Sequence, residues 1–172
     1  RSGIKNGHKN QVVMAPTGAG KTYLGLRVAF EALQKGRRVV FVCDRRTLIN
    51  QTSQVADQYG IPNHSVLMAN HWRFNPENKF QIASAQTIKS RGWPDADVII
   101  IDECHTQLSV WTDHIPHCRG AVIGLSATPF SDGLGKLFSN LINATTMREL
   151  TESGVLVPMR VMSCTKINMK GA

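Results

Sequence analysis

The chain has 172 residues, 42% of them hydrophobic and 19% charged, an ordinary globular balance that accommodates one well-buried domain and does not suggest disorder. No apolar run approaches the roughly 20 residues that span a bilayer, so a membrane helix is excluded and no membrane partner is expected. The net charge is +8, from 20 Lys and Arg against 12 Asp and Glu, which fits either polyanion partners or a solvated basic surface.

In chain order, residues 11–15 form a short apolar run, expected as a buried strand feeding a glycine-rich turn. Behind Lys21, Leu24, Val28 and Ala32 recur with helical spacing, as do Leu26, Phe30 and Leu33, which predicts a helix buried on more than one side up to Gly36. Residues 38–43 form a second strand. Leu48, Thr52, Val55, Ala56 and Tyr59 predict a helix that Gly60 and Pro62 terminate. Weaker strand signals lie at Ser65–Met68 and Phe80–Ser84, separated by the polar stretch Asn70–Lys79. Val98–Ile101 is an uninterrupted β-branched run, and Ala121–Leu125 is another apolar segment. After Pro129, Gly133 and Gly135 predict a mobile or turning loop, then Met147–Ser153 a short helix and Val155–Ser163 a late strand. Continuous apolar strands alternating with helices predict one α/β domain over residues 1–172, a mostly parallel sheet with helices on both faces.

Pro16, Thr17, Gly18, Ala19, Gly20, Lys21 and Thr22 stand between a strand and a helix. Glycines there let backbone N–H groups converge on phosphate oxygens, and the following helix presents its positive end to the same anion. Lys21 can reach the β- and γ-phosphates of a nucleoside triphosphate, and the Thr22 hydroxyl can join a magnesium shell. Ala15 stands where the strict pattern has its first glycine. A turn that merely caps a helix would not require this register.

Asp102 follows Val98–Ile101 and is expected at the carboxyl end of a strand, where it can hold Mg2+ directly or through water. Glu103 is the candidate base for the attacking water. His105 is placed to exchange hydrogen bonds with Ser126 and Thr128, a coupling role, or is a polar group at a helix start. Cys104, His105, His114, His117 and Cys118 match no standard zinc spacing. The scattered cysteines fit a reducing cytosol.

Together these segments resemble the first RecA-like domain of superfamily 2 helicases and translocases. APTGAGKT looks like motif I, IDECH like motif II, a DECH box, and LSATP like motif III. Val42–Leu48 with Gln51 looks like motif Ia, and Ser84–Ile88 like the next nucleic-acid-contacting motif. Met147–Pro158 is similar to a segment near the end of this domain in DNA repair helicases and restriction-type translocases. The resemblance runs from about residue 11 to about 160. It implies a P-loop NTPase that hydrolyses ATP with Mg2+ and moves along nucleic acid, DNA rather than RNA, in the cytoplasm or at the nucleoid. Arg45, Arg46, Thr47, Gln86 and Thr87 are the implied backbone contacts, although Arg45 and Arg46 fit a solvated helix start equally. Because the chain begins at Arg1 and close to motif I, an adenine-reading segment is expected upstream and a second RecA-like domain with arginine fingers elsewhere in a longer protein. An RNA helicase is the alternative within the class. A non-catalytic nucleic-acid scaffold is the alternative outside it, and a small-molecule P-loop kinase would call for neither LSATP nor motif Ia.

Overall fold

The computed structural model describes residues 6–106 and 108–158, with Leu108 placed by its backbone only. Its strands are β1 (Asn10–Met14), β2 (Val39–Cys43), β3 (Ser65–Leu67), β4 (Phe80–Ser84), β5 (Val98–Asp102), β6 (Ala121–Ser126) and β7 (Asn140–Asn143). Its helices are α1 (Lys21–Leu33), α2 (Arg46–Gln58), α3 (Ala85–Arg91), α4 (Leu108–Thr112), α5 (Leu134–Leu137) and α6 (Met147–Glu152), with a 3-10 turn at Ile115–His117. The strands form one sheet in the order β3-β4-β2-β5-β6-β1-β7, and every pair in it is parallel.

Parallel strands joined by helical crossovers must bury both faces, and the sequence complies. Every residue of β2 and β4 is buried. Alternate side chains of the strands divide between two cores. Phe41, Ile82, Ile100 and Leu125 pack with Leu26, Ala29 and Ala32 of α1 and Ile49 and Ala56 of α2. Val40, Val42, Ile99 and Ile101 face the other way, against Ile88, Trp111, Ile115, Leu134, Leu137 and Phe138. Gly25 lets α1 lie directly on the sheet, since a Cβ there would stand 2.6 Å from Cε2 of Phe41. The parallel sheet puts the carboxyl ends of β1, β2, β4, β5 and β6 on one edge, and the loops that carry the motifs leave from that edge.

The structure departs from the sequence reading toward the end of the chain. The loop expected around Gly133 and Gly135 contains α5, with Gly133 (φ 87°) as its N-cap and Gly135 inside it. Leu134, Leu137 and Phe138 are buried together in the core, and that burial outweighs the glycine's low helix propensity. The unexpected strand β7 pairs with β1, and the Asn140 side-chain amide donates to Gln11 Oε1 at 3.2 Å. Its polar ends hid it from the hydropathy pattern. Of the late strand expected at Val155–Ser163, residues 155–158 have no strand structure, and 159–163 lie outside the described residues. The helix expected at Met147–Ser153 is present as α6, closed by a capping box between Thr146 and Glu149.

A buried polar knot links α2 to the loop after β3. His64, 3% exposed, bonds Ile61 O through Nδ1 at 2.8 Å and Ser53 Oγ through Nε2 at 2.7 Å. Arg73 reaches His64 Nε2 at 2.9 Å and grips Asp57 with two bonds of 2.8 Å. The charged and titratable groups around His64 are therefore Arg73, Asp57 and His71. Burial is the main cause that lowers the His64 pKa, so the folded state binds fewer protons there than the unfolded state. The stability His64 contributes is full above its unfolded pKa of about 6.5 and is lost as pH falls through and below that value. His64→Gln should therefore show a smaller fall in Tm between neutral and mildly acidic buffer than wild type. Parallel pH–Tm curves for the two proteins would contradict this assignment.

Candidate active site

The glycine-rich turn is anchored before it begins. Ala15 is buried, and its N–H donates to Ser126 O at 3.0 Å, which ties the end of β1 to the end of β6. Ala19 N donates back to Pro16 O at 3.1 Å, closing the turn. Gly18 and Gly20 take left-handed φ values of 83° and 77°, a region that L side chains rarely adopt. Gly20 is also the N-cap of the 13-residue helix α1, which has no side-chain cap and no acid in its first turn. The first amides and the positive end of α1 are thus available to an anion. Leu156 packs close to Gly18, with its Cδ2 3.2 Å from where a Cβ would stand, so the segment after α6 folds back against the turn.

These residues open into a groove of ≈ 500 Å³ whose lining includes Gly18, Gly20, Lys21, Thr22, Asp102 and Glu103. Asp102 is the last residue of β5 and only 7% exposed, and its Oδ1 accepts from Glu103 N at 3.1 Å. Burial first, and the neighbouring Glu103 charge second, raise its pKa, while the Glu103 amide and Lys21 pull it down. Such a carboxylate is stabilised in its charged form by a cation beside it, and the donor set of Asp102 with Thr22 is the hard-oxygen type that suits Mg2+. Glu103 has a positive φ of 48°, uncommon for a residue with a Cβ. Its carboxylate lies between two cations or potential cations, with Oε1 3.4 Å from Lys21 Nζ and Oε2 3.4 Å from His105 Nδ1. The glycine turn, Lys21, Thr22, Asp102 and Glu103 therefore share one groove. The intervening Cys104 is buried, its thiol pKa pushed up to about 12 by desolvation, which makes it an inert core residue.

His105 Nδ1 also lies 2.8 Å from Ser126 Oγ, at the end of β6. Thr128 joins this chain through its backbone, its N–H donating to Ser126 Oγ at 3.0 Å. A continuous polar path thus leads from Glu103 through His105 and Ser126 to the segment beyond β6.

The other sequence-derived residues gather further along the same sheet edge. Arg45, Arg46 and Thr47 start α2 after β2, while Gln86 and Thr87 start α3 after the adjacent β4. Arg46, Gln86 and Thr87 line a pocket of ≈ 180 Å³ with Met68, Ala69, Ser84, Ser90 and Arg91; Arg45 and Thr47 do not line it. Ser84 caps α3 by accepting from Thr87 N at 2.9 Å, which fixes this start of helix. Sequence reasoning did not place Gln54, Val55 and Gln58, which line the groove together with Gln51. The signal was available, since Gln51, Gln54 and Gln58 are spaced at i, i+3 and i+7 and must share one helix face.

The parallel sheet, the glycine turn at the end of β1 and the acidic pair at the end of β5, one strand removed, define a P-loop nucleotide-binding domain of the RecA-like class. The chain belongs to the family described as Type III restriction enzyme, res subunit (ResIII), matched over residues 1–131, and is a first RecA-like domain of the superfamily 2 helicase type. Among proteins of known sequence, it is 24% identical over 163 residues to a "51.5 kDa protein" of Lactococcus phage (isolate 7-9). That match covers 92% of this chain and 33% of the phage protein, so the chain spans about a third of its relative's length. Three solved structures share the fold. A nuclease-deletion mutant of the Type ISP restriction-modification enzyme LlaGI, in complex with a DNA substrate mimic, matches with TM-score 0.68 and 14% identity, covering 90% of this chain and 19% of that one. The UvsW helicase of bacteriophage T4 matches with TM-score 0.67 and 14% identity, over 78% of this chain and 54% of that one. The Hef helicase domain of Pyrococcus furiosus matches with TM-score 0.64 and 20% identity, over 81% of this chain and 35% of that one. Among the described residues, no helix is long and apolar enough to cross a membrane.

Proposed function

We propose that this chain is the ATP- and Mg2+-binding half of a nucleic-acid-dependent ATPase that couples hydrolysis to translocation along DNA or to its unwinding. The observation that carries this reading is the convergence of the phosphate turn and the acidic pair, with Lys21 Nζ 3.4 Å from Glu103 Oε1 in one groove. Residues 16–20 and the start of α1 would hold the phosphates through backbone N–H groups, with Lys21 on the β- and γ-phosphates. Thr22 and Asp102 would hold Mg2+, which when bound offsets phosphate charge. Glu103 would accept the proton of the attacking water, and Lys21 and His105 at its two oxygens hold it in place. His105, Ser126 and Thr128 would relay the state of the site, and Arg45, Arg46, Thr47, Gln86 and Thr87 would contact the sugar-phosphate backbone.

DNA is favoured over RNA because the likeness to LlaGI is to a protein complexed with a DNA substrate mimic and because Met147–Pro158 resembles a segment of DNA-directed motors. The phage relative's greater length supports placing a second RecA-like domain in the full-length protein. The reading predicts that phosphate release by the full-length protein rises with single- or double-stranded DNA and much less with RNA. Equal stimulation by RNA would favour the RNA helicase. Nucleic-acid binding without any phosphate release would favour the non-catalytic scaffold.

A further inference from the structure

We infer that Trp72, on the loop between β3 and β4, is a base-stacking platform for single-stranded nucleic acid at the end of the proposed backbone track; this rests on the nucleic-acid reading above. The sheet order makes the geometry. β2, β4 and β3 are consecutive, so the loops leaving their carboxyl ends lie in a row. The first two carry Arg46 and the start of α3, and the third begins with Met68 and Ala69. All three contribute to the same ≈ 180 Å³ pocket, where Arg46 and Arg91 supply positive charge and Gln86, Thr87 and Ser90 supply hydrogen-bonding groups. That combination suits a phosphate and its sugar. Trp72 stands three residues beyond Ala69, within about 10 Å along the chain. The loop turns tightly here, with His71 N donating to Met68 O at 3.0 Å.

Trp72 is 81% exposed, although His71 stacks against it and the Arg73 guanidinium carbon lies 4.7 Å from its ring centroid. Most of the indole surface therefore remains free, and Phe74 beside it is also half exposed. A large aromatic so exposed buries little of itself in the fold, and the loop is not a loose excursion that exposes it by default. Arg73 is locked by its paired bonds to Asp57 and its bond to buried His64. Arg73 O accepts from Val66 N of β3 at 3.2 Å, and Asn75 N donates to Ser65 Oγ at 2.9 Å. The segment after Trp72 is thus stitched to the edge strand, and His71 before it is tied back to Met68. A rigidly presented ring loses little freedom when a ligand stacks on it. A fixed aromatic face beside a basic phosphate pocket is the arrangement that binds single strands without regard to sequence, because every base has a π-face.

The test compares binding by the full-length protein of a short labelled oligothymidylate and of an oligomer of equal length whose sugars lack bases. Trp72→Ala should weaken oligothymidylate binding about tenfold and leave abasic binding nearly unchanged. Trp72→Phe should restore most of the loss, because it keeps an aromatic face. Independently, oligothymidylate should quench wild-type tryptophan emission, and the quench should disappear in Trp72→Phe. Should Trp72→Ala fail to fold, the quench still decides the matter. A wild type that binds both oligomers, with Trp72→Ala equally affected on both or on neither, overturns the platform and leaves the nucleic-acid reading standing. A wild type that binds neither oligomer overturns the nucleic-acid reading and the platform with it.

Discussion

Lys21→Ala in the full-length protein should lower ATP turnover by about 10²–10³, the cost of removing one pre-positioned charge from a phosphate site. It should also weaken nucleotide binding, because the lost ammonium would contact phosphates already present in the ground state. Glu103→Gln should lower turnover by about 10²–10⁴, because an amide cannot accept the proton of the attacking water. Binding of Mg·ATP should survive that change. The two residues touch, with Nζ and Oε1 3.4 Å apart and Lys21 only 10% exposed, so removing either alters the other's surroundings. The contrast in binding is therefore the informative result. The amide keeps the size and backbone geometry of Glu103, including its φ of 48°, and removes the charge opposite Lys21. Equilibrium binding of a fluorescent ATP analogue, measured beside steady-state phosphate release, separates the roles. Equal loss of binding in both variants would contradict them.

The candidate site was legible in the sequence because its parts are local and each has a mechanical reason. Gly18, Gly20, Lys21 and Thr22 lie within five consecutive residues of the turn, and Asp102 is placed by the apolar run before it. Which strand lies beside which was not legible. The contact between His105 and Ser126 depends on β5 and β6 being neighbours, which the pairing of Asp102 with Leu125 realises. Elements after Pro129 were read least well. Their signals are weak, and tertiary burial of Leu134, Leu137 and Phe138 decides what local propensity leaves open. The Trp72 platform was hidden for a related reason. In sequence it lies in a polar loop, and only the order β2-β4-β3 reversed along the sheet edge brings that loop beside Arg46 and Gln86.

The second large effect concerns what residues 1–172 can do alone. The groove contains the glycine turn, Asp102 and Glu103, to which the proposed function gives phosphate, magnesium and base roles, so Mg·nucleotide should bind weakly. On the proposed reading the adenine-reading segment belongs to the longer protein, so ATP and GTP should compete with similar strength for the isolated residues. The γ-phosphate would lack arginines from a second RecA-like domain to offset charge that develops during transfer, and such arginines contribute about 10³–10⁵ in related chemistry. Steady-state phosphate release by the isolated 172 residues and by the full-length protein, each with and without single-stranded DNA, tests the half-motor account most directly. The account predicts near-background release by the isolated chain even with DNA, and strong DNA-stimulated release by the full-length protein; robust DNA-stimulated release by the isolated monomeric chain would contradict it.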